Sequence, residues 1–183
     1  FHEKALGAYP ELTDPTAEAL CVFIETPIGK AELDRFPAVK LIATRSTGFD
    51  HIDLAVTKER GIAVVNVPFY GENTVAEFAF ALLLALSRRI IDADERVRED
   101  GIFSPVGLRG FDLAGKTLGV VGCGHIGVHV IRIAKGFGMN VIAFDVHRND
   151  ELSETLGFSY GTLPEVLAGS DIISLHVPYN PHT

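Results

Sequence analysis

No tryptophan occurs among these 183 residues, and only two cysteines do. Cys21 and Cys123 stand far apart in apolar surroundings, with neither metal-ligand spacing nor the density of a disulfide scaffold. The pattern predicts a reducing, cytoplasmic setting and no structural metal. Positive charge is also scarce: 16 Lys and Arg against 24 Asp and Glu give a formal net charge of −8. With no basic cluster to offset it, a general nucleic-acid or anionic-membrane surface is excluded, although a local site for a small anion is not. A bilayer-spanning run is missing too. The most apolar stretch, VAEFAFALLLAL from Val75 to Leu86, carries Glu77 and falls short of the roughly 20 residues a spanning helix needs. No signal peptide is visible, and the chain opens at Phe1 rather than Met, so a piece of a longer protein is expected.

What remains is an ordinary globular composition, 47% hydrophobic and 22% charged, enough to bury one core or two small ones. Short apolar runs alternate with amphipathic segments. ALCVFIE (residues 19–25), VKLIATRS (39–46) and IAVVNVP (62–68) read as strands, with helices at 28–36 and 52–60 between them. A single long helix is expected from Asn73 to about Glu99, and the glycine-rich stretch 101–116 marks a domain junction. A second α/β unit follows: strands at 116–122, 140–145 and 171–178, helices at 125–137 and 162–170. The fold class is therefore α/β with parallel sheets, divided into domains 1–100 and 101–183.

The stretch VVGCGHIGVHV places Gly122, Gly124 and Gly127 at G-x-G-x-x-G spacing, directly after a strand and at the start of a helix. Gly122 permits the tight turn, Gly124 admits a pyrophosphate close to the backbone, and Gly127 lets the helix lie close to the sheet. The helix N-terminus offers N–H groups and a positive dipole to phosphate. Asp145 follows 18 positions after Gly127, at the end of the next strand, suited to accept the ribose hydroxyls. A carboxylate there favours NAD over NADP, a preference softened by His147 and Arg148 beside it. Topology would bring the end of the fourth strand, His176, Val177 and Pro178, to the same crevice. His125 and His129, four apart, could face one metal, but two polar helix positions without a third ligand are the simpler reading. Cys123 is expected to pack as a small side chain beside the cofactor.

Four runs, ATRSTGFDHIDL, NVPFYGENTVAEFAFALLLALSRR, GFDLAGKTLGVVGCGHIG and LHVPYNPHT, together resemble the D-isomer-specific 2-hydroxyacid dehydrogenases, nearest their D-lactate dehydrogenase branch, from about Val39 to Thr183. The resemblance implies a flavodoxin-like substrate domain and a Rossmann NAD-binding domain, both incomplete in this chain, and a homodimer paired through the apolar helix. It implies that Ser46, Thr47 and Gly48 offer backbone N–H groups to a substrate carboxylate and that Tyr70 lines the substrate pocket. Val75, His125, Ile126, Asp145, Val177, Pro178 and Thr183 match NAD-contacting positions.

The resemblance also implies an arginine, a glutamate and a histidine for catalysis, all of which would fall after Thr183. Within the chain Arg45 adjoins the carboxylate loop, Arg88 and Arg89 are expected to be solvated, and His51 is expected to cap a helix or lie at the surface. No catalytic residue is assigned. The expected parent is an NAD-dependent oxidoreductase acting on a small 2-keto acid such as pyruvate, of which this fragment alone is inactive. A dehydrogenase-like NAD-binding transcriptional corepressor is the alternative.

Overall fold

A computed structural model describes residues 6–178 and 183. The chain divides into two compact units between Tyr70 and Gly71. In the first, β1 (Ala19–Val22), β2 (Leu41–Thr44) and β3 (Ala63–Val65) form a parallel sheet in the order β1-β2-β3. Helices α1 (Lys30–Asp34) and α2 (Leu54–Glu59) connect them. Asp53 starts α2 by accepting the N–H groups of Ala55 and Val56, which satisfies donors that the first turn leaves open. The core of this unit is Ile28, Leu33, Phe36, Ile42 and Ile52, with Val22, Val39 and Ile62 around them.

The second unit begins with α3 (Glu72–Ser87) and α4 (Ile90–Arg98). A single helix was expected across this span, and the structure corrects that. Arg89 adopts a left-handed conformation, φ 51°, and the break has a tertiary cause. The N–H of Phe111 takes the Ser87 carbonyl at 2.9 Å, and Gly110 lies so close that a Cβ there would stand 1.9 Å from that oxygen. The carbonyl that a continuing helix would need is thereby occupied. α3 packs on α5 and so belongs to the second compact unit.

Beyond α4 come β4 (Thr117–Val121), α5 (His125–Gly136), β5 (Asn140–Phe144), α6 (Asp150–Leu156), β6 (Ser159–Tyr160), α7 (Leu163–Gly169) and β7 (Ile172–Leu175). The sheet order is β6-β5-β4-β7, all parallel. The sequence reading passed over α6 and β6 as a polar stretch. α6 is nonetheless capped at both ends, by the Asn149 side chain accepting from Leu152 N–H and by left-handed Gly157. α7 opens with a capping box between Thr162 and Glu165.

α5 buries Gly127, Val130, Ile131 and Ala134, the i, i+3, i+4, i+7 pattern of a helix lying on a sheet. Ile131 is fully buried among Leu118, Val120, Met139, Val141 and Ala143. We expect Ile131→Ala to cost about 2–5 kcal/mol through lost contacts and a residual cavity. Urea unfolding of the 183-residue chain measures this, and a loss within error of zero would mean the core is not packed as described.

Candidate functional site

The order β6-β5-β4-β7 holds a reversal: the chain runs outward from β4 to β6, then crosses back to place β7 on the other side of β4. A crevice therefore opens at the carboxyl ends of β4 and β7, where open α/β sheets take their ligands. Gly122 stands there with φ +96°, and a Cβ on it would lie 2.5 Å from the His176 carbonyl and 2.9 Å from Val177. At Gly127 a Cβ would lie 2.0 Å from the Gly122 oxygen, so only glycine lets α5 come this near to the end of β4. Gly124 differs from both. It caps α5, and nothing lies within 4 Å of where its Cβ would be. That open space sits over the N-terminus of a 12-residue helix, whose first turn has N–H groups with no intrahelical acceptor. The residues present fit a pyrophosphate.

Asp145 lies just past β5 and holds the turn together. Its Oδ2 accepts the Cys123 N–H at 2.6 Å and its Oδ1 the His147 N–H at 2.8 Å. Burial, with the Asp145 charge added to it, pushes the Cys123 thiol from its ordinary 9.0 up to about 11. Chiefly through burial, the Tyr160 hydroxyl is also raised. Arg148, a possible partner for a 2′-phosphate, is engaged elsewhere: its guanidinium lies 5.8 Å from the centre of the Tyr160 ring and donates to the Gly161 carbonyl at 3.3 Å. On β7's extension His176 has Nε2 2.8 Å from Ser174 Oγ, and burial lowers its pKa below the usual 6.5.

The remaining expected cofactor positions lie on α5, beyond β7 and on α3. Ile126 packs on the core from the first turn of α5. Val177 and Pro178 are exposed beyond β7, and the Thr183 hydroxyl donates to the Pro178 carbonyl. Val75 lies exposed on the first turn of α3. Sequence reading missed Glu72 at the start of that helix: its Oε1 stands 3.5 Å from His125 Nδ1 and its Oε2 3.9 Å from His129 Nε2. The two histidines thus share a carboxylate, and among the described residues no group of three or more His, Cys, Asp or Glu side chains is placed to hold a metal.

A separate candidate site lies in the first unit. After β2 the loop of Ser46, Thr47 and Gly48 has all three carbonyls tied back. Val67 N–H donates to the Ser46 oxygen at 3.1 Å, Asn66 Nδ2 to that of Thr47 at 2.8 Å, and Ser46 Oγ to that of Gly48 at 2.7 Å. Their N–H groups find no acceptor among the described residues. Carbonyls with partners beside amides without them suit an anion. Tyr70 is exposed at the end of this unit. Arg45 stacks 5.5 Å from the Phe23 ring centre, while Arg88 and Arg89 form surface ion pairs with Asp112 and Asp92. His51 caps no helix: Asp53 does that, and the imidazole instead faces Thr44.

Strand reversal beside a helix whose glycines bring it down onto the sheet is how Rossmann-type domains hold a dinucleotide, and the second unit is of that class. More particularly, residues 80–183 match the D-isomer specific 2-hydroxyacid dehydrogenase, NAD binding domain. The chain belongs to that family, and its cofactor is NAD. It is 44% identical over 178 residues to the D-lactate dehydrogenase of Escherichia coli, covering 93% of this chain and 54% of that protein. To the glyoxylate reductase of Korarchaeum cryptofilum it is 40% identical over 169 residues, covering 91% of this chain and 51% of the relative. The solved D-lactate dehydrogenase from Aquifex aeolicus, complexed with NAD and lactic acid, superposes with a TM-score of 0.83 at 39% identity, over 92% of this chain and 50% of that one. The chain spans about half the length of the curated relatives it matches.

Gly124→Ala is expected to lower the melting temperature only slightly, through a poorer helix cap, while sharply weakening NADH binding, since the added methyl meets no protein atom but enters the phosphate space. Gly127→Ala should lower both. Fluorescence titration with NADH alongside thermal melts separates the two, and undiminished binding by Gly124→Ala would place the phosphates elsewhere. The thiols give a second check. Between 9.0 and about 11 the thiolate fraction at neutral pH falls about a hundredfold, so iodoacetamide should modify exposed Cys21 well before Cys123. Equal rates, followed by peptide mass, would contradict the burial described.

Proposed function

We propose that the chain is the substrate-loop and NAD-binding portion of an oxidoreductase that transfers a hydride between NADH and a small 2-keto acid, pyruvate being the leading candidate. The observation that carries this reading is the glycine-floored crevice between β4 and β7, which suits a dinucleotide in a chain of dehydrogenase family. NAD, when bound, supplies the hydride. The backbone of Gly122, Gly124, His125, Ile126 and Gly127 holds the pyrophosphate against the helix dipole. Asp145 accepts the ribose hydroxyls and repels a 2′-phosphate, while Val177, Pro178 and Thr183 border the nucleotide and Val75 the nicotinamide end.

In the first unit, the N–H groups of Ser46, Thr47 and Gly48 bind the keto-acid carboxylate, orienting the ketone. Tyr70 adds a hydroxyl to hold the substrate and an aromatic ring to exclude water. Reduction further requires a cation to polarise the ketone and an acid to protonate the alkoxide. In this reading both come from the part of the relatives' length that the chain does not span, with the first unit serving the substrate and the second the cofactor. The protein acts in the cytoplasm as a homodimer. Phe78, Leu82 and Leu86, exposed on α3 at i, i+4, i+8 spacing, supply an apolar stripe for the second copy.

Tests of binding and turnover divide the proposal. The 183-residue chain is expected to bind NADH without oxidising it in the presence of pyruvate, whereas the complete gene product oxidises it. Failure of the chain to bind NADH at all would sink the cofactor assignment. Turnover by the chain itself would show that the proton donor lies within it.

A further inference from the structure

The loop of Ser46 to Gly48 is held by more than its own residues. Thr44 and Ser46, on the last residue of β2 and just beyond it, are only 2% and 3% exposed. Their hydroxyls lie 2.6 Å apart, and Thr44 Oγ1 is also 3.1 Å from His51 Nε2. Neither hydroxyl can spend its one proton twice, and this fixes the direction of every bond. The Gly48 carbonyl can only accept, so Ser46 donates to it. Ser46 must then accept from Thr44. Thr44 has no second proton to give, so it accepts from His51, and Nε2 carries a hydrogen. The order is His51 Nε2–H to Thr44 Oγ1–H to Ser46 Oγ–H to the Gly48 oxygen.

From this chain we infer that His51 is a positioning residue for substrate binding, acting through Thr44 and Ser46 to keep the Gly48 carbonyl turned away from the bound carboxylate. The inference rests on reading the loop as the carboxylate cradle. The other two carbonyls of the loop are held by Val67 and Asn66; that of Gly48 depends on this relay. Successive donors polarise one another, so the bond to Gly48 is strongest when the imidazole heads the row. Without it, Thr44 is free to turn its proton elsewhere, and Ser46 loses its donor. The Gly48 peptide can then swing its oxygen toward the anion, opposing a negative charge with a carbonyl dipole. A neutral imidazole with its proton on Nδ1 cannot take this part, since its Nε2 has nothing to donate.

The test uses His51→Phe, His51→Gln and Thr44→Val in the complete gene product. His51→Phe and Thr44→Val are each expected to raise KM for pyruvate roughly three- to tenfold, the worth of one hydrogen bond, with kcat changed less and NADH affinity unchanged. The double variant should be no worse than the poorer single one, because both break the same row. His51→Gln, whose amide can donate to Thr44, should recover most of the loss. A merely structural role would move the melting temperature without this split or this rescue. In the 183-residue chain, the imidazole nitrogen resonances should show Nε2 protonated. An unchanged KM in His51→Phe, or a bare Nε2, overturns the inference. If the unaltered protein reduces no pyruvate, it is the proposed substrate that fails, and the nitrogen resonances still decide whether the relay exists.

Discussion

The closeness of α5 to β4 governs the whole second unit. A helix can rest this near to the end of a strand only if no side chain stands between them, and the contact of Gly127 with the Gly122 carbonyl shows how little room is left. That approach aims the helix N-terminus at the crevice beside β7. It also lets Asp145 reach the Cys123 amide from the neighbouring strand, closing the turn from its other side. Backbone packing thus leaves open amides at this crevice, an arrangement that suits a dinucleotide. Gly124 is the exception that makes sense of the other two glycines. No protein atom lies within 4 Å of where its Cβ would be, so the space over the helix end stays open.

The loop after β2 solves a related problem by other means. No helix N-terminus supplies it; its carbonyls are instead taken up one by one. Asn66, Val67 and Ser46 each take one, which leaves the loop's amides without a partner among the described residues. The donors come from the end of β3 and from the loop itself, and burial of Thr44 and Ser46 keeps water from competing for the hydroxyl protons. The two segments therefore share a logic: amides without partners beside carbonyls that are satisfied elsewhere. In one the accounting is done by helix geometry, in the other by named side chains.

The helical segment after Tyr70 is where local pattern and tertiary packing part company. Its first half is apolar on nearly every face, so periodicity alone cannot say which side is buried. In the fold Ala76 and Phe80 turn inward, with Phe80 stacked on Phe137 at 5.5 Å, while Phe78 and Leu86 stay exposed at 64% and 76%. An apolar surface of this kind is unusual on a monomer and suits association. The helix also stops earlier than its composition suggests, because Gly110 and Phe111 close over the Ser87 carbonyl.

Local chemistry made much of the molecule legible in advance. The alternation of strands and helices, the glycine turn and the acid at the end of β5 are all written in residues close together, where periodicity and backbone freedom act directly. The loop after β2 is marked only by the family resemblance. The short α6 and β6 escaped because neither carries enough apolar residues to signal itself; one is held by its caps and the other by pairing with β5. Tertiary structure alone decided where α3 ends, that Arg148 turns to Tyr160, and that His51 faces Thr44 rather than capping α2. Each of these depends on which distant backbone groups already have partners. A sequence names the donors and acceptors, but only the folded chain determines how they are shared out.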